Sequence, residues 1–249
     1  MKSHILARTK NVQRGLDCLS YVLSRPVANQ VGLAMIYGRP GLGKTQFSQR
    51  YAIENDYVYL SALKASTPKS FTVELLTHLR RRYEPDNSTA VTGPKARLFR
   101  KILDTLNIHT TKLHQPVILI DEVDNILHYP HEEIIGMLRD IADNTVASVV
   151  LIGMQDLREK VMKLNSHYYN RFIYFAEFKS LTDADVALMC SDLADIVIAP
   201  DLAKFTNDKS QANGDARKVI KSIRLYEEIA AKLSLSSLDL NLYQKVVSR

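Results

Sequence analysis

The chain has 249 residues, 46% of them hydrophobic, with 33 Lys and Arg against 27 Asp and Glu for a net charge of +6. That composition excludes a disordered chain, and the length suits one α/β core with a smaller appended domain. No run of about 18 apolar residues occurs to span a membrane, the segment Met1 to Lys10 lacks the apolar centre of a secretory signal, and two cysteines without C-x-x-C spacing, Cys18 and Cys190, fit free packing thiols in a reducing cytoplasm.

The first strong pattern is the apolar run Val31-Gly-Leu-Ala-Met-Ile-Tyr37, which reads as a buried strand and leads into Gly38-Arg-Pro-Gly-Leu-Gly-Lys-Thr45. The spacing G-x-x-x-x-G-K-T between a strand and a helix is that of a phosphate loop, the Walker A motif. Its glycines let backbone N–H groups approach phosphate oxygens, and the helix starting near Lys44 turns its positive end to the same place. Gly38, Pro40, Gly41, Gly43, Lys44, Thr45 and Gln46 are thus the candidate ATP cradle. Lys44 is placed to pair with the β- and γ-phosphates, and the Thr45 hydroxyl to hold Mg²⁺.

Tyr57-Val-Tyr-Leu-Ser61 reads as the second strand. Thr67 and Pro68 supply an N-cap and a first-turn proline for a helix through Leu79, the breaker-rich stretch Tyr83 to Pro94 reads as a loop, and a further helix is predicted from about Lys95 to Leu106. Residues 62 to 114 hold ten basic side chains (Lys64, Lys69, Arg80, Arg81, Arg82, Lys95, Arg97, Arg100, Lys101, Lys112) against Glu74, Glu84, Asp86 and Asp104, an excess of six that equals the charge of the whole chain. Clustered cations of this kind suit the phosphate backbone of nucleic acid, where each neutralised phosphate releases counterions; a solvated helix face is the alternative. For Arg80-Arg-Arg82, at a helix end, favourable interaction with the helix dipole competes with DNA contact.

Val117-Ile-Leu-Ile120 is a four-residue apolar strand closed by Asp121 and Glu122, so both carboxylates fall at a strand's carboxyl end, where open α/β sheets place ligands. Asp121 is the candidate Mg²⁺ holder, through water, and Glu122 the candidate for orienting the attacking water. Strands follow at Val146 to Ile152 and within Tyr168 to Phe175; Tyr57, Tyr59, Tyr168 and Tyr169 read as strand packing. His128-Tyr-Pro-His131 has no third ligand at useful spacing for a metal. From about Ser180 the pattern is helical, opening on a capped start at Leu181 to Asp185, with ten basic and ten acidic residues balanced over 179 to 249. The expected division is an N-terminal linker and helix at 1–30, a nucleotide-binding α/β domain at 31–179 with a parallel sheet flanked by helices, and a small helical lid at 180–249.

With the phosphate loop, Val117-Ile-Leu-Ile-Asp-Glu122 and a helical lid, the chain resembles the AAA+ ATPases, which assemble as rings or filaments with nucleotide at subunit boundaries. The resemblance implies an arginine finger at Arg171, within Asn170-Arg-Phe172, and a lid arginine touching phosphate at Arg217, within Gly214-Asp-Ala-Arg-Lys218. The pattern is broken where the strand before Gln155 should end in Asn or Thr: Gly153, Met154 and Gln155 stand there, and only Gln155 can hydrogen-bond, which implies slow or partner-dependent hydrolysis.

Taken whole, the chain is similar to the target-selector ATPases of DNA transposition, the family of MuB, TnsC and TniB, through Lys10-Asn-Val12, Ser24-Arg-Pro26, Gly32 to Thr45 and Leu151-Ile-Gly-Met-Gln-Asp-Leu157. That resemblance implies ATP-dependent assembly into a filament or ring on double-stranded DNA and activation of a transposase. With no more than 30 residues before the first strand, DNA contact is expected from the ATPase core itself, and the favoured backbone contacts are Lys64, Lys95, Arg97, Arg100 and Lys101. Two alternatives stay open: a helicase loader or origin initiator, whose lid motif is also similar, and a nucleotide-switch protein of signalling or defence that binds no DNA.

Overall fold

The computed structural model describes every residue except 3, 4, 28, 88, 112–114, 128–131, 248 and 249, so Lys112 and the His128 to His131 stretch lie outside the described residues. In chain order the elements are α1 (Lys10–Ser24), β1 (Leu33–Gly38), α2 (Lys44–Glu54), β2 (Val58–Ser61), α3 (Pro68–Tyr83), α4 (Lys95–Ile108), β3 (Val117–Asp121), α5 (Glu132–Asn144), β4 (Ser148–Gly153), α6 (Leu157–Leu164), α7 (Ser166–Tyr169), β5 (Phe172–Phe178), α8 (Asp183–Leu193), β6 (Val197–Ile198), α9 (Pro200–Thr206), α10 (Ala216–Lys232), β7 (Ser237–Leu238) and α11 (Leu240–Val247). They form two compact units. One comprises Leu16–Gly38 and Lys44–Glu177; the other comprises Met1–Gly15, Arg39–Gly43 and Phe178–Arg249.

The larger unit holds a five-stranded sheet in the order β2-β3-β4-β1-β5, and the β2/β3, β3/β4 and β4/β1 pairs are parallel. Strands β3 and β4 are buried along their whole length, whereas edge strand β2 alternates buried and half-buried residues. Continuous apolar runs are what a parallel sheet covered on both faces requires. Val58, Leu60, Ile118, Ile120, Val149, Leu151, Leu33 and Met35 share a core with Phe71, Leu75, Leu76 and Leu79 of α3, Leu98, Ile102 and Leu106 of α4, and Ile134, Leu138 and Ile141 of α5. Each of these large side chains contributes about 1.5 to 3 kcal/mol by leaving water. The intervening residues Tyr59, Leu119 and Asp121 point to the opposite face, by the two-residue period of a strand, and α2 packs against β1, β2 and β3.

Two local sequences do specific work in this unit. Thr67 caps α3: its hydroxyl accepts the Ser70 N–H at 3.1 Å while the Ser70 hydroxyl accepts the Thr67 N–H at 2.8 Å, with Pro68 in the first turn as the sequence predicts. Arg25 is buried and donates to the Val22 and Gln30 carbonyls, to the Val146 carbonyl at 2.7 Å and to the Ser148 hydroxyl at 2.7 Å, stapling the residues before β1 to the start of β4. Gly32 is part of this staple, since a Cβ there would lie 2.6 Å from the Arg25 guanidinium. Before β5 the chain forms the single turn of α7, because the Asn165 side chain accepts the His167 N–H at 2.8 Å; the strand therefore starts only at Phe172.

The smaller unit is helical, with one addition to the sequence reading: the two-residue strands β6 and β7 pair in parallel. Helix α8 opens on a capping box in which Thr182 and Asp185 satisfy each other's backbone N–H groups. Helix α10 opens on Asp215, whose carboxylate accepts the N–H groups of Arg217 at 2.8 Å and Lys218 at 3.2 Å. Gly214 precedes it at φ +77°, and a Cβ there would come within 2.6 Å of the Ser180 side chain, so the Gly-Asp pair of this motif is required by the turn and the cap. No described helix is long and apolar enough to cross a membrane. Cys18 and Cys190 are buried free thiols, with burial pushing them up to about 12 and about 11.

Candidate functional site

In the larger unit the start of α2 and the end of β3 carry the acidic and cationic side chains singled out by sequence. Lys44 is buried at the first position of α2, and its ammonium donates back to the Gly38 carbonyl at 2.8 Å. Thr45 and Gln46 follow, both exposed. Asp121 is 2% exposed, and its carboxylate is held on both oxygens: Oδ1 accepts the Glu122 N–H at 2.8 Å and Oδ2 accepts the Tyr59 hydroxyl at 3.0 Å. Burial, and then the Asp121 charge, raise the pKa of the Tyr59 phenol, so it is a protonated donor at neutral pH. Tyr59 itself accepts from the Gln49 amide at 3.3 Å. Glu122 is exposed in the left-handed region at φ 53° and ψ 32°, a strained placement for a non-glycine residue that turns the chain sharply after β3.

Asp124, which the sequence reading passed over, joins the ends of β3 and β4. Its Oδ2 accepts the Met154 N–H at 2.6 Å and its Oδ1 accepts the Lys160 ammonium at 2.8 Å. A Cβ on Gly153 would lie 2.4 Å from that carboxylate, so any side chain at 153 would evict it. The break in the pattern at the end of β4 thus has a local cause: Asp124 occupies the space where a polar side chain would emerge. Gln155 stands exposed in the turn that follows. The clue was the D-E-x-D spacing from Asp121 to Asp124, which places a third carboxylate in the 3-10 turn Val123–Ile126.

The remaining candidates fall in several places. Arg171 is half-exposed between α7 and β5, with Asp143 of α5 at 3.6 Å. In the smaller unit, Arg217 is exposed in the first turn of α10, and its N–H donates to the Gly41 carbonyl at 3.3 Å. A Cβ on Gly41, at φ +81°, would collide with the Asp215 carboxylate at 2.4 Å, so this loop position admits only glycine on two counts. Gly43 is at φ +90° with open space where a Cβ would project. A glycine-rich loop of this conformation is what close approach of backbone N–H groups to phosphate oxygens requires. In the larger unit, a buried lysine and an exposed hydroxyl open the 11-residue helix α2, whose N-terminal end favours an anion. Pro40 lies in the same loop.

Of the cations proposed for DNA, Arg97, Arg100 and Lys101 are exposed on α4, opposite the buried Leu98, Ile102 and Leu106, and none makes an ion pair among the described residues. Lys64 is exposed in the turn after β2. Lys95 is engaged with Glu133 of α5. Two of the three arginines ending α3 are also engaged: Arg80 donates to the Thr89 carbonyl at 3.1 Å, and Arg82 pairs with Asp56 at 3.0 Å. Tyr59 lies on β2 as the sequence reading has it and in addition donates its hydroxyl to the Asp121 carboxylate, whereas Tyr168 and Tyr169 stand on α7 rather than on a strand.

Residues 28–161 match the model of the AAA domain family. The chain is similar to the ATP-dependent target DNA activator B of Escherichia phage Mu, 26% identical over 201 residues that cover 80% of this chain and 54% of that protein; the activator of Escherichia phage D108 gives the same figures. The chain therefore spans about half the length of the curated relatives it matches. Among solved structures, the Aeropyrum pernix ORC2 protein in its ADPNP-ADP complexes is similar with a TM-score of 0.74 at 18% identity, covering all of this chain and 70% of that one. The Pyrobaculum aerophilum Cdc6p structure gives 0.65 at 17% identity, covering 95% of this chain and 66% of that one. A Thermotoga maritima RuvB variant gives 0.60 at 17%, covering 95% and 69%. These structural likenesses concern the fold.

Proposed function

The chain belongs to the AAA domain family, and from that premise we propose that it is an ATP-dependent, DNA-binding regulator of transposition, which assembles on double-stranded DNA and presents it to a transposase. The observation that carries the DNA part is the row Arg97, Arg100 and Lys101, three exposed cations on one helix face that make no ion pair among the described residues. Such a row meets a phosphate backbone at little desolvation cost and reads no base edges, so binding is sequence-tolerant and salt-dependent. The name of the relatives in phages Mu and D108, a target DNA activator, supports the same reading.

For the nucleotide, bound ATP would supply the phosphoryl group and Mg²⁺ would neutralise charge on its oxygens. Lys44 binds the β- and γ-phosphates, and Thr45 and Asp121 hold the cation, Asp121 through water. Glu122 orients the attacking water. Arg217 touches phosphate from the lid of its own subunit, while Arg171 reaches the nucleotide of a neighbour in a filament or ring. Of Gly153, Met154 and Gln155, only Gln155 has a side chain able to hydrogen-bond to water or phosphate, which supports slow or partner-dependent turnover. Heterologous contacts that do not close on themselves would wind the assembly into a helix.

The test is duplex-DNA binding with ATP by the full chain and by an Arg97→Glu, Arg100→Glu, Lys101→Glu triple variant, with the same samples viewed by electron microscopy. The reading expects filaments or rings with the wild type, and for the variant a loss of affinity with the slope of log affinity against log salt shallower by about three units. A variant that binds DNA with unchanged affinity and slope sinks the α4 interface. A wild type that binds ATP and no DNA favours the nucleotide-switch alternative.

A further inference from the structure

We propose that Tyr59 is the positioning residue for Asp121, backed by Gln49, and that it fixes the orientation in which this carboxylate meets the divalent cation of a bound nucleotide; the inference rests on the ATP reading above. The strand register sets the arrangement. Tyr59 on β2 is level with Leu119 on β3, and Ser61 is level with Asp121. Tyr59 and Asp121 therefore share a face and stand on a diagonal, two residues apart along the strand direction. That diagonal is about 7 to 8 Å, too far for a short side chain and within reach of a tyrosine hydroxyl. The hydroxyl arrives 3.0 Å from Asp121 Oδ2, on a carboxylate whose Oδ1 is already taken by the Glu122 N–H. A carboxylate torsion is broad and roughly two-fold when left to itself. Here both oxygens are pinned, so the lone pairs that remain point in a fixed direction.

Gln49 extends the link to the helix that begins at the phosphate loop. It lies four residues after Thr45 on α2, hence on the same helix face, and its amide donates to the Tyr59 hydroxyl at 3.3 Å. The Tyr59 hydroxyl thus links Asp121 to Gln49 on α2, the helix whose second residue is Thr45. Partners that orient a metal-holding carboxylate in this way govern cation affinity more than they govern the fold.

The experiment uses the full chain and a fluorescent N-methylanthraniloyl ATP, titrated once in EDTA and once with rising MgCl₂. Tyr59→Phe keeps the ring and removes only the hydroxyl. It is expected to bind the metal-free analogue within about twofold of wild type while needing about tenfold more Mg²⁺ to reach the half-point of the Mg²⁺-dependent signal. Gln49→Ala, at an exposed site, is expected to shift the half-point in the same direction by a smaller factor, and it carries the test if circular dichroism shows Tyr59→Phe to be unfolded. Equal Mg²⁺ half-points overturn the proposal, as does an equal loss of affinity with and without Mg²⁺, which assigns the hydroxyl to the nucleotide or the fold instead. A wild type that binds no analogue under either condition overturns the ATP reading itself, and this proposal with it.

Discussion

Arg25 carries a buried charge with carbonyl, amide and hydroxyl partners and, among the described residues, no carboxylate, and burial lowers its pKa. Its planar fork spans three directions at once, which the flexible point charge of lysine does not reproduce. Arg25→Ala leaves several buried acceptors unmatched and is expected to lower the unfolding free energy by about 3 kcal/mol, with Arg25→Lys recovering less than half of that. Urea denaturation followed by circular dichroism checks both; a loss below about 1 kcal/mol would show that water replaces the guanidinium at little cost. At Glu122 the expectation is functional: Glu122→Gln keeps ATP-analogue affinity within about threefold and drops steady-state phosphate release by about 100-fold or more. Turnover equal to wild type would remove Glu122 from the water-orienting role. The roles proposed for Lys44, Thr45, Asp121 and Glu122 rest on signals legible in sequence, because each pattern lies in a few consecutive residues beside an apolar run. Asp124 and Tyr59 were not, because each acts on a residue of another strand or strand end and depends on register that one sequence does not display.

Element by element, strong local signals carry through to the structure and weak ones leave no trace in the sequence. The Thr67-Pro68 start of α3, the Thr182 start of α8 and the apolar strands β3 and β4 follow from capping chemistry and continuous burial. The single turn α7 and the pair β6 and β7 have too few residues for any periodicity to register, and they form where a side-chain cap or a neighbouring strand supplies the missing backbone partner. The α8 cap also brings a pH dependence. Burial alone would raise the Asp185 carboxyl pKa, but the N–H groups of Lys10 and Thr182 and the Thr182 hydroxyl outweigh it, and the net shift is down from 3.8. A carboxylate depressed in the folded state stabilises fully above its unfolded value, and that stabilisation is lost as pH falls through the native one. Asp185→Asn is therefore expected to melt a few degrees below wild type at neutral pH, the gap closing as the pH is taken below 3.8. A gap that stays constant with pH would mean that the amide loses only hydrogen-bond geometry.

For the molecule as a whole, the charge distribution separates the readings. The excess of six cations sits in residues 62 to 114, while 179 to 249 is balanced, so the field that attracts a polyanion belongs to the nucleotide-binding unit. Within that segment the structure narrows the candidates, since Lys95, Arg80 and Arg82 are engaged with neighbours while Arg97, Arg100 and Lys101 face solvent. The central claim couples this surface to the nucleotide. It is tested most directly by measuring duplex-DNA affinity of the full chain with ATP, with ADP and without nucleotide, each at about 50 and 200 mM salt. The account requires tight binding only with ATP, weakening steeply at the higher salt. Affinity that is the same in all three nucleotide conditions, or insensitive to salt, would contradict it.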